Sequence, residues 1–188
     1  MRYEALNRGF AATVLHVDLS AGEIREEALD IKLSAEYLGG WGINQRLAYQ
    51  HMTPGLNPLS EHNVIILGAG PFIGTIAPGA SKFMCTTKFP LTGAIATASA
   101  GGHFGHQLKW AGYDHVVITG RAKEPVYLKI FDDKVSICDA GDLWGKSILE
   151  TTEKLWDDHG GCGVVAIGQA GENRVRFALA LVDNMASL

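Results

Sequence analysis

The sequence has few cysteines, and their spacing excludes several kinds of site. Cys85, Cys138 and Cys162 lie far apart, and no two of them form a CxxC pair. A disulfide framework needs an even set of cysteines, and cysteine-held metals or iron–sulfur clusters need closely spaced ones. The sequence therefore predicts reduced thiols that pack in the protein interior.

Strong charge of one sign and long apolar runs are also lacking. The chain carries 16 Lys and Arg against 20 Asp and Glu, a formal net charge of −4, and the basic residues are scattered. A nucleic-acid partner or an anionic membrane surface is therefore not expected. Apolar runs stay short of the ~20 residues that cross a membrane, and the opening MRYEALNRGF does not match a secretory signal. These absences predict a cytoplasmic protein without a membrane segment.

The 188 residues suffice for one sizeable domain, and their patterns predict one unit twice. Each copy runs from a β-hairpin through a helix and a buried strand to a glycine turn. The first copy comprises residues 14–27, 44–52, 64–67 and 68–71, and the second comprises residues 126–138, 148–159, 164–167 and 168–171. We predict an α+β fold with two related hairpin-helix-strand repeats, which form two facing β-sheets with flanking helices. Residues 1–12 are expected to be a flexible N-terminal segment and residues 13–188 the domain.

Glycine and small residues are abundant at the centre of the chain, in residues 68–114. The strand-like pieces there carry Ala, Thr, Ser and Gly, which let a backbone approach a bulky ligand. Residues 98–105, ASAGGHFG, lead into a helix-like segment whose first N–H groups suit a phosphate, and Lys82 adds a full charge. Two interpretations stay open, a concave surface for a large phosphate-bearing cofactor and tight sheet-to-helix packing. Neither the Rossmann nor the P-loop glycine pattern is present to decide between them.

Few residues suggest catalysis. His103 and His106 could ligate a metal from one helix face, but no carboxylate or cysteine nearby in sequence completes a site, and packing is the alternative. Glu172, Asn173 and Arg174 follow a glycine turn, where the end of a helix or strand is the alternative to a ligand contact. No Ser/His/Asp or Cys/His group stands out by its spacing. The residues alone predict a binding surface and no catalytic residue.

Seven motifs occur along the chain in a fixed order. They are GPFIGT at 70–75, AP at 77–78, TKFPLTG at 87–93, GGHFG at 101–105, LKWAGYD at 108–114, WG at 144–145 and IGQAGEN at 167–173. Together they closely resemble the N-terminal domain of the aldehyde ferredoxin oxidoreductase family, tungsten or molybdenum enzymes with a bis-pterin cofactor. The resemblance runs from about Thr13 onward.

The resemblance implies a cofactor-binding domain in which two pterins hold the metal through their dithiolene sulfurs. Lys82 stands where relatives usually have Arg and would contact a cofactor phosphate, with the charge of Arg but without its bidentate fork. Ser99 stands where relatives often have Asn, and its backbone carbonyl would face the Mg²⁺ that joins the pterin phosphates. Gly101 would supply a backbone contact in the turn that it forms with Gly102. The cofactor-binding residues implied are therefore Lys82, Ser99, Gly101 and Gly102, with Ser99 at the magnesium.

The sequence departs from the family at its end, DNMASL. In relatives the chain continues into an Arg- and Gly-rich turn and then into helical domains with a [4Fe–4S] cluster and the substrate channel. The resemblance therefore implies a fragment, inactive alone, whose partners are the missing C-terminal domains or a separately encoded subunit, with ferredoxin accepting electrons in the intact enzyme. Exposure of the face that those domains cover predicts an apolar patch and a homo-oligomer. The alternatives are a non-catalytic scaffold that kept the fold and lost the cofactor, and a general phosphate-binding module.

Overall fold

Strands and helices alternate along residues 9–188, the part of the chain that the computed structural model describes. The strands are β1 Thr13–Asp18, β2 Glu23–Ala28, β3 Ile65–Gly68, β4 Phe83–Lys88, β5 Ile95–Ala100, β6 His115–Thr119, β7 Val126–Phe131, β8 Lys134–Asp139, β9 Val165–Ala166, β10 Leu181–Val182 and β11 Ala186–Ser187. The helices are α1 Ile31–Tyr37, α2 Trp41–His51, α3 Phe104–Trp110, α4 Ile148–His159 and α5 Gln169–Glu172.

A six-stranded sheet in the order β2-β1-β6-β3-β4-β5 forms the centre of the molecule. Its neighbours pair antiparallel except β1 and β6, which run parallel. Antiparallel neighbours such as β1 and β2 need only a short turn, here at Gly22 with φ of 70°. The parallel pair joins residues about 100 positions apart, as in the register of Val14 with His115.

Both faces of this sheet are buried because its inner strands are apolar on both sides. On one face, Val14, Ile66 and Val117 pack against Ile43 and Leu47 of α2. On the other face, a second set of sheet residues packs against the β7–β8 hairpin, the start of α3 and the β10–β11 hairpin. The main buried members of that set are Leu15, Val17, Leu67, Phe83 and Val116. Continuous apolar runs such as His115–Thr119 follow from burial on both faces.

The predicted α+β class is confirmed, and the element order hairpin, helix, strand occurs twice. The first copy contributes β1, β2 and β3 to the large sheet. The second copy is divided, because β7 and β8 form a two-stranded sheet while β9 joins β10 and β11 in a three-stranded one. The β7–β8 hairpin faces the large sheet across the core, with Leu128, Ile130, Val135 and Ile137 turned towards it.

The residues just before the predicted domain boundary at Thr13 make contacts with the core. Residues 1–8 of the predicted flexible segment lie outside the described residues, but the backbone N–H groups of Ala11 and Ala12 donate to the Asp114 carboxylate at 3.0 and 2.7 Å. The side chain of Ala11 is buried. A buried carboxylate over a hundred residues away thus holds the chain just before β1, and the domain boundary at Thr13 stays a prediction.

Candidate functional site

The four residues implied as a cofactor site lie together at one end of β4 and β5. Register places Met84 opposite Ser99 and Phe83 opposite Ala100, so Lys82 before β4 and Gly101 after β5 are neighbours. Gly102 completes the turn into α3 with a φ of 100°. We call Lys82 and residues 96–101 the edge surface.

The edge surface is open because its side chains are small and β5 is the last strand of the sheet. Within residues 9–188, the outer edge of β5 has no hydrogen-bonded strand beside it. Lys82 and Ser99 are exposed. A Cβ added at Gly101 would meet only the Ser81 hydroxyl, at 3.7 Å. A flat ligand could therefore lie against main-chain groups here, with one cation at its side.

Two backbone N–H groups at the start of α3 are bonded within the chain and are therefore not free for a phosphate. The Asp183 carboxylate accepts hydrogen bonds from the backbone N–H groups of His103, at 2.5 Å, and Phe104, at 3.3 Å. Its other oxygen accepts from the N–H of Val164 at 2.7 Å. The chain's own anion thus occupies the N-terminus of this short helix.

Asp183 also explains why position 102 is a glycine. A Cβ there would lie 2.6 Å from Asp183 Oδ2 and 3.0 Å from Val182 Cγ1, closer than such contacts allow. Glycine at 102 is therefore required by packing, whether or not its backbone also meets a ligand. Gly102 therefore serves the packing interpretation of the glycine-rich stretch, whereas the cofactor interpretation stays a prediction.

The histidine pair of α3 does not form a metal site. His103 is exposed, whereas His106 is half-buried with its ring centroid 6.0 Å from that of Trp110. Among residues 9–188, no group of three or more His, Cys, Asp or Glu side chains is placed to hold a metal ion. His106 thus packs against Trp110, whereas His103 is at the surface.

The polar residues after the second glycine turn hold another loop in place. Glu172 accepts hydrogen bonds from the Gly145 N–H at 3.0 and 3.1 Å, and Gln169 Nε2 donates to the Gly145 carbonyl at 2.7 Å. Asn173 closes its own turn by donating to the Gln169 carbonyl at 2.8 Å. The WG and IGQAGEN motifs therefore bind each other. The predicted role at the end of a helix or strand describes Asn173 but not the contacts of Glu172 and Gln169 with Gly145.

Sequence reasoning missed a buried polar network beneath the edge surface. Asn44 of α2 is fully buried, and its Nδ2 donates to the carbonyl oxygens of Ile66, at 3.1 Å, and Met84, at 3.2 Å. Its Oδ1 lies 2.7 Å from Nδ1 of His115, which must carry the proton because the amide oxygen is an acceptor. Burial, and then the charge of Lys109, lowers the pKa of His115 to about 3, so the ring is neutral.

A buried ion pair between Lys109 and Asp114 lies where the chain enters the domain before β1. Lys109 donates to the Asp114 carboxylate, and neither side chain is exposed. The pKa of Lys109 is lowered by burial against the opposing pull of Asp114. The ammonium also lies 5.5 Å from the centre of the Phe10 ring, a cation–π distance. The sequence offered one signal for these buried contacts, because Asn44 and Lys109 stand within apolar helical patterns. Polar groups buried at such positions need hydrogen-bond partners.

A groove of about 540 Å³ lies between α1 and α2, lined by Glu36, Tyr37, Gln45, Arg46 and Tyr49. Gln45 connects this groove to the edge surface, because its Nε2 donates to Thr97 Oγ1 of β5 at 2.9 Å.

Across the described residues, no helix has the length and apolar character needed to cross a bilayer.

Comparison with known proteins identifies relatives along almost the whole chain. A family model described as the N-terminal domain of aldehyde ferredoxin oxidoreductase matches residues 14–187. The tungsten-containing aldehyde ferredoxin oxidoreductase of Pyrococcus abyssi is 42% identical over 178 residues, which are 94% of this chain and 29% of that protein. An aliphatic sulfonate oxidoreductase, WOR-like subunit, of Pyrococcus furiosus is 31% identical over 92% of this chain and 30% of that protein.

A solved structure gives the same result. The active site complex BamBC of benzoyl coenzyme A reductase, in complex with 1,5-dienoyl-CoA, matches with a TM-score of 0.92 and 37% identity, covering 96% of this chain and 28% of that chain. The chain thus spans less than a third of the length of these relatives. It belongs to the aldehyde ferredoxin oxidoreductase family, whose N-terminal domain it matches.

Proposed function

We propose that this chain is the cofactor-binding base of a tungsten- or molybdenum-pterin oxidoreductase. The observation that carries the proposal is the convergence of Lys82, Ser99 and Gly101 on an open sheet edge made of small residues. Main-chain groups and one cation are the partners that a flat, phosphorylated ring system requires.

The residues present fit such a cofactor in three respects. Lys82 is an exposed cation at the end of the edge surface, suited to a phosphate. Ser99 lies on the edge strand, where its backbone carbonyl would approach the Mg²⁺ between two pterin phosphates, and Gly101 leaves space for a backbone contact. A tungsten or molybdenum ion held by pterin sulfurs would supply two-electron redox chemistry. The first turn of α3 would stay with Asp183.

The relatives support a shared role for this region over a substrate-specific one. Their names refer to aldehydes, to aliphatic sulfonates and to benzoyl coenzyme A, yet the same region matches this chain at 31–42% identity. A region common to proteins with such different named substrates carries what they have in common. We infer that substrate choice belongs to the remaining length of the protein.

The activity of the whole protein is proposed on the same basis. Residues corresponding to the other 70% or so of the relatives' length would supply the substrate channel and the [4Fe–4S] cluster, with electrons passing to ferredoxin in the cytoplasm. The 188 residues alone would not oxidise an aldehyde. A scaffold without cofactor is the second candidate, favoured by Lys82 in place of the usual Arg and Ser99 in place of the usual Asn.

Metal content tests the proposal. The whole protein, with the remaining length supplied on the same or a second polypeptide, is produced with tungstate and molybdate and analysed for both metals and for released pterin fluorescence. We expect close to one tungsten or molybdenum per protein. Loss of one charge-assisted contact weakens binding by about 1.5–3 kcal/mol, so Lys82→Ala should lower metal content several-fold.

Two matched variants sharpen the result. Lys82→Arg should retain the metal, and Lys123→Ala, which removes another exposed lysine outside the edge surface, should have no effect. Wild-type protein with neither metal nor pterin would reject the enzyme and leave the scaffold.

A further inference from the structure

Two consecutive residues of α2 connect four strands of the large sheet. Asn44 reaches β3 and β4 through the carbonyls of Ile66 and Met84, and β6 through His115. Gln45 reaches β5 through Thr97. We call Asn44 and Gln45 the α2 bracket.

The sheet is built to admit this bracket. A Cβ at Gly68, the last residue of β3, would lie 2.2 Å from Asn44 Oδ1 and 2.6 Å from His115 Nδ1. Any other residue at that position would displace the asparagine. Thr86 of β4 continues the network, because its hydroxyl lies 2.7 Å from that of Thr97. The bracket therefore makes two sets of hydrogen bonds from adjacent residues of α2, one from Asn44 to the inner strands and one from Gln45 through Thr97 to Thr86.

Strand β5, the last strand of the sheet, depends on the α2 bracket more than the inner strands do. β5 pairs with β4 on one side, and within the described residues its other side has no strand. Edge strands open more readily than inner strands, because fewer hydrogen bonds hold them. Ser99 and Gly101 lie at the end of this strand, and ligand contacts through main-chain atoms tolerate errors of well under about 1 Å.

We propose that Asn44 and Gln45 are positioning residues that fix the main chain of β5 for the pterin cofactor. They act through Met84 and Thr97, which lie in register with the edge surface. This inference rests on the proposed function above. It assigns to two side chains of a neighbouring helix a role that does not require them to touch the ligand.

Gln45→Ala tests the inference, because the side chain is half-buried and its removal leaves the packing of Ile43 and Leu47 intact. In whole protein made without tungstate or molybdate, amide hydrogen exchange of residues 95–100 should quicken at least tenfold. In protein made with both metals, tungsten and molybdenum content should fall at least fivefold. Gln45→Glu, whose carboxylate can accept from the Thr97 hydroxyl, should restore most of both.

Arg46→Ala serves as the matched control, since Arg46 is also half-buried on α2 and makes no hydrogen bond or ion pair with a described residue. It should change neither exchange nor metal content. Unchanged exchange in Gln45→Ala, or quickened exchange with wild-type metal content, would overturn the positioning role alone. Wild-type protein without either metal would overturn the proposed function itself, and with it the role of the bracket towards the cofactor.

Discussion

At the scale of single residues, Asp183 shows how one buried carboxylate can organise a glycine-rich region. It receives three backbone N–H groups, two from the start of α3 and one from Val164. It also requires Gly102, since a side chain there would collide with it. Its own backbone is left-handed, with φ of 52°, a conformation that Asp and Asn tolerate.

We expect Asp183→Asn to lower the free energy of unfolding by about 2–4 kcal/mol, because an amide cannot accept from all three donors and leaves buried N–H groups unpaired. Asn keeps the left-handed backbone, so the loss would come from the side chain. Denaturant unfolding followed by circular dichroism measures it. Asp132→Asn is the matched control, with the same φ of 52° in the exposed β7–β8 turn, and should change stability by less than about 0.5 kcal/mol. Equal losses in both variants would contradict the role of the Asp183 carboxylate.

The buried imidazole of His115 predicts how stability depends on pH. Its pKa falls from 6.5 to about 3 on folding, because burial and then the charge of Lys109 oppose protonation. The unfolded chain therefore binds more protons between those values, so stability is full above pH 6.5 and is lost as pH falls. The loss should reach about 2 kcal/mol at pH 5.

Unfolding by urea at pH 7.5 and pH 5 tests this expectation. The difference between the free energies of unfolding at the two pH values should shrink in His115→Gln. It should persist in His62→Gln, which removes an exposed histidine. His16 and His51 add a smaller slope of the same sign, since burial lowers the pKa of each. A His115→Gln protein with the full wild-type slope would contradict the assignment.

At the scale of elements, sequence patterns predicted best where local signals decide the structure. The hairpins β1–β2 and β7–β8 follow from alternation around Gly22 and Asp132, both with positive φ. Helix α4 follows from Ser147, whose hydroxyl accepts from the Glu150 N–H in a capping box. Helix α1 begins at Ile31 after Asp30, whose side chain accepts from the Lys32 N–H as a helix cap.

Elements set by distant partners were not predictable. β10 and β11 have two residues each and depend on a turn in which Asp183 and Asn184 both have positive φ. The contact of Asp183 with His103 spans 80 residues, so no local pattern indicates it. The residue pattern indicated Lys82 and the stretch 98–105, and the family resemblance gave Ser99 and Gly101 their individual roles. The α2 bracket needed coordinates, because polar residues on a helix do not identify their partners.

At the scale of the whole molecule, exposed apolar side chains surround the turn between α1 and α2. Leu38 is 73% exposed, Trp41 63% and Phe72 67%. Gly39 packs against Pro71, where an added Cβ would lie 2.9 Å from the ring, which brings the backbone beside Leu38 close to that beside Phe72. Apolar side chains clustered in this way favour burial against another surface, and the relatives' greater length would provide one.

We therefore expect the 188-residue chain alone to self-associate through this patch, with a mass in sedimentation or light scattering that rises with concentration. Phe72→Lys should shift the chain towards monomer at least fivefold in dissociation constant, because a charge within an apolar contact must be desolvated. Phe131→Lys alters an equally exposed phenylalanine, 66% against 67%, on the β7–β8 hairpin and should leave association unchanged. Supplying the remaining length of the protein should remove the association of the wild type and make the two variants behave alike. A chain that stays monomeric at high concentration would show that Leu38, Trp41 and Phe72 do not form a surface that another surface must cover.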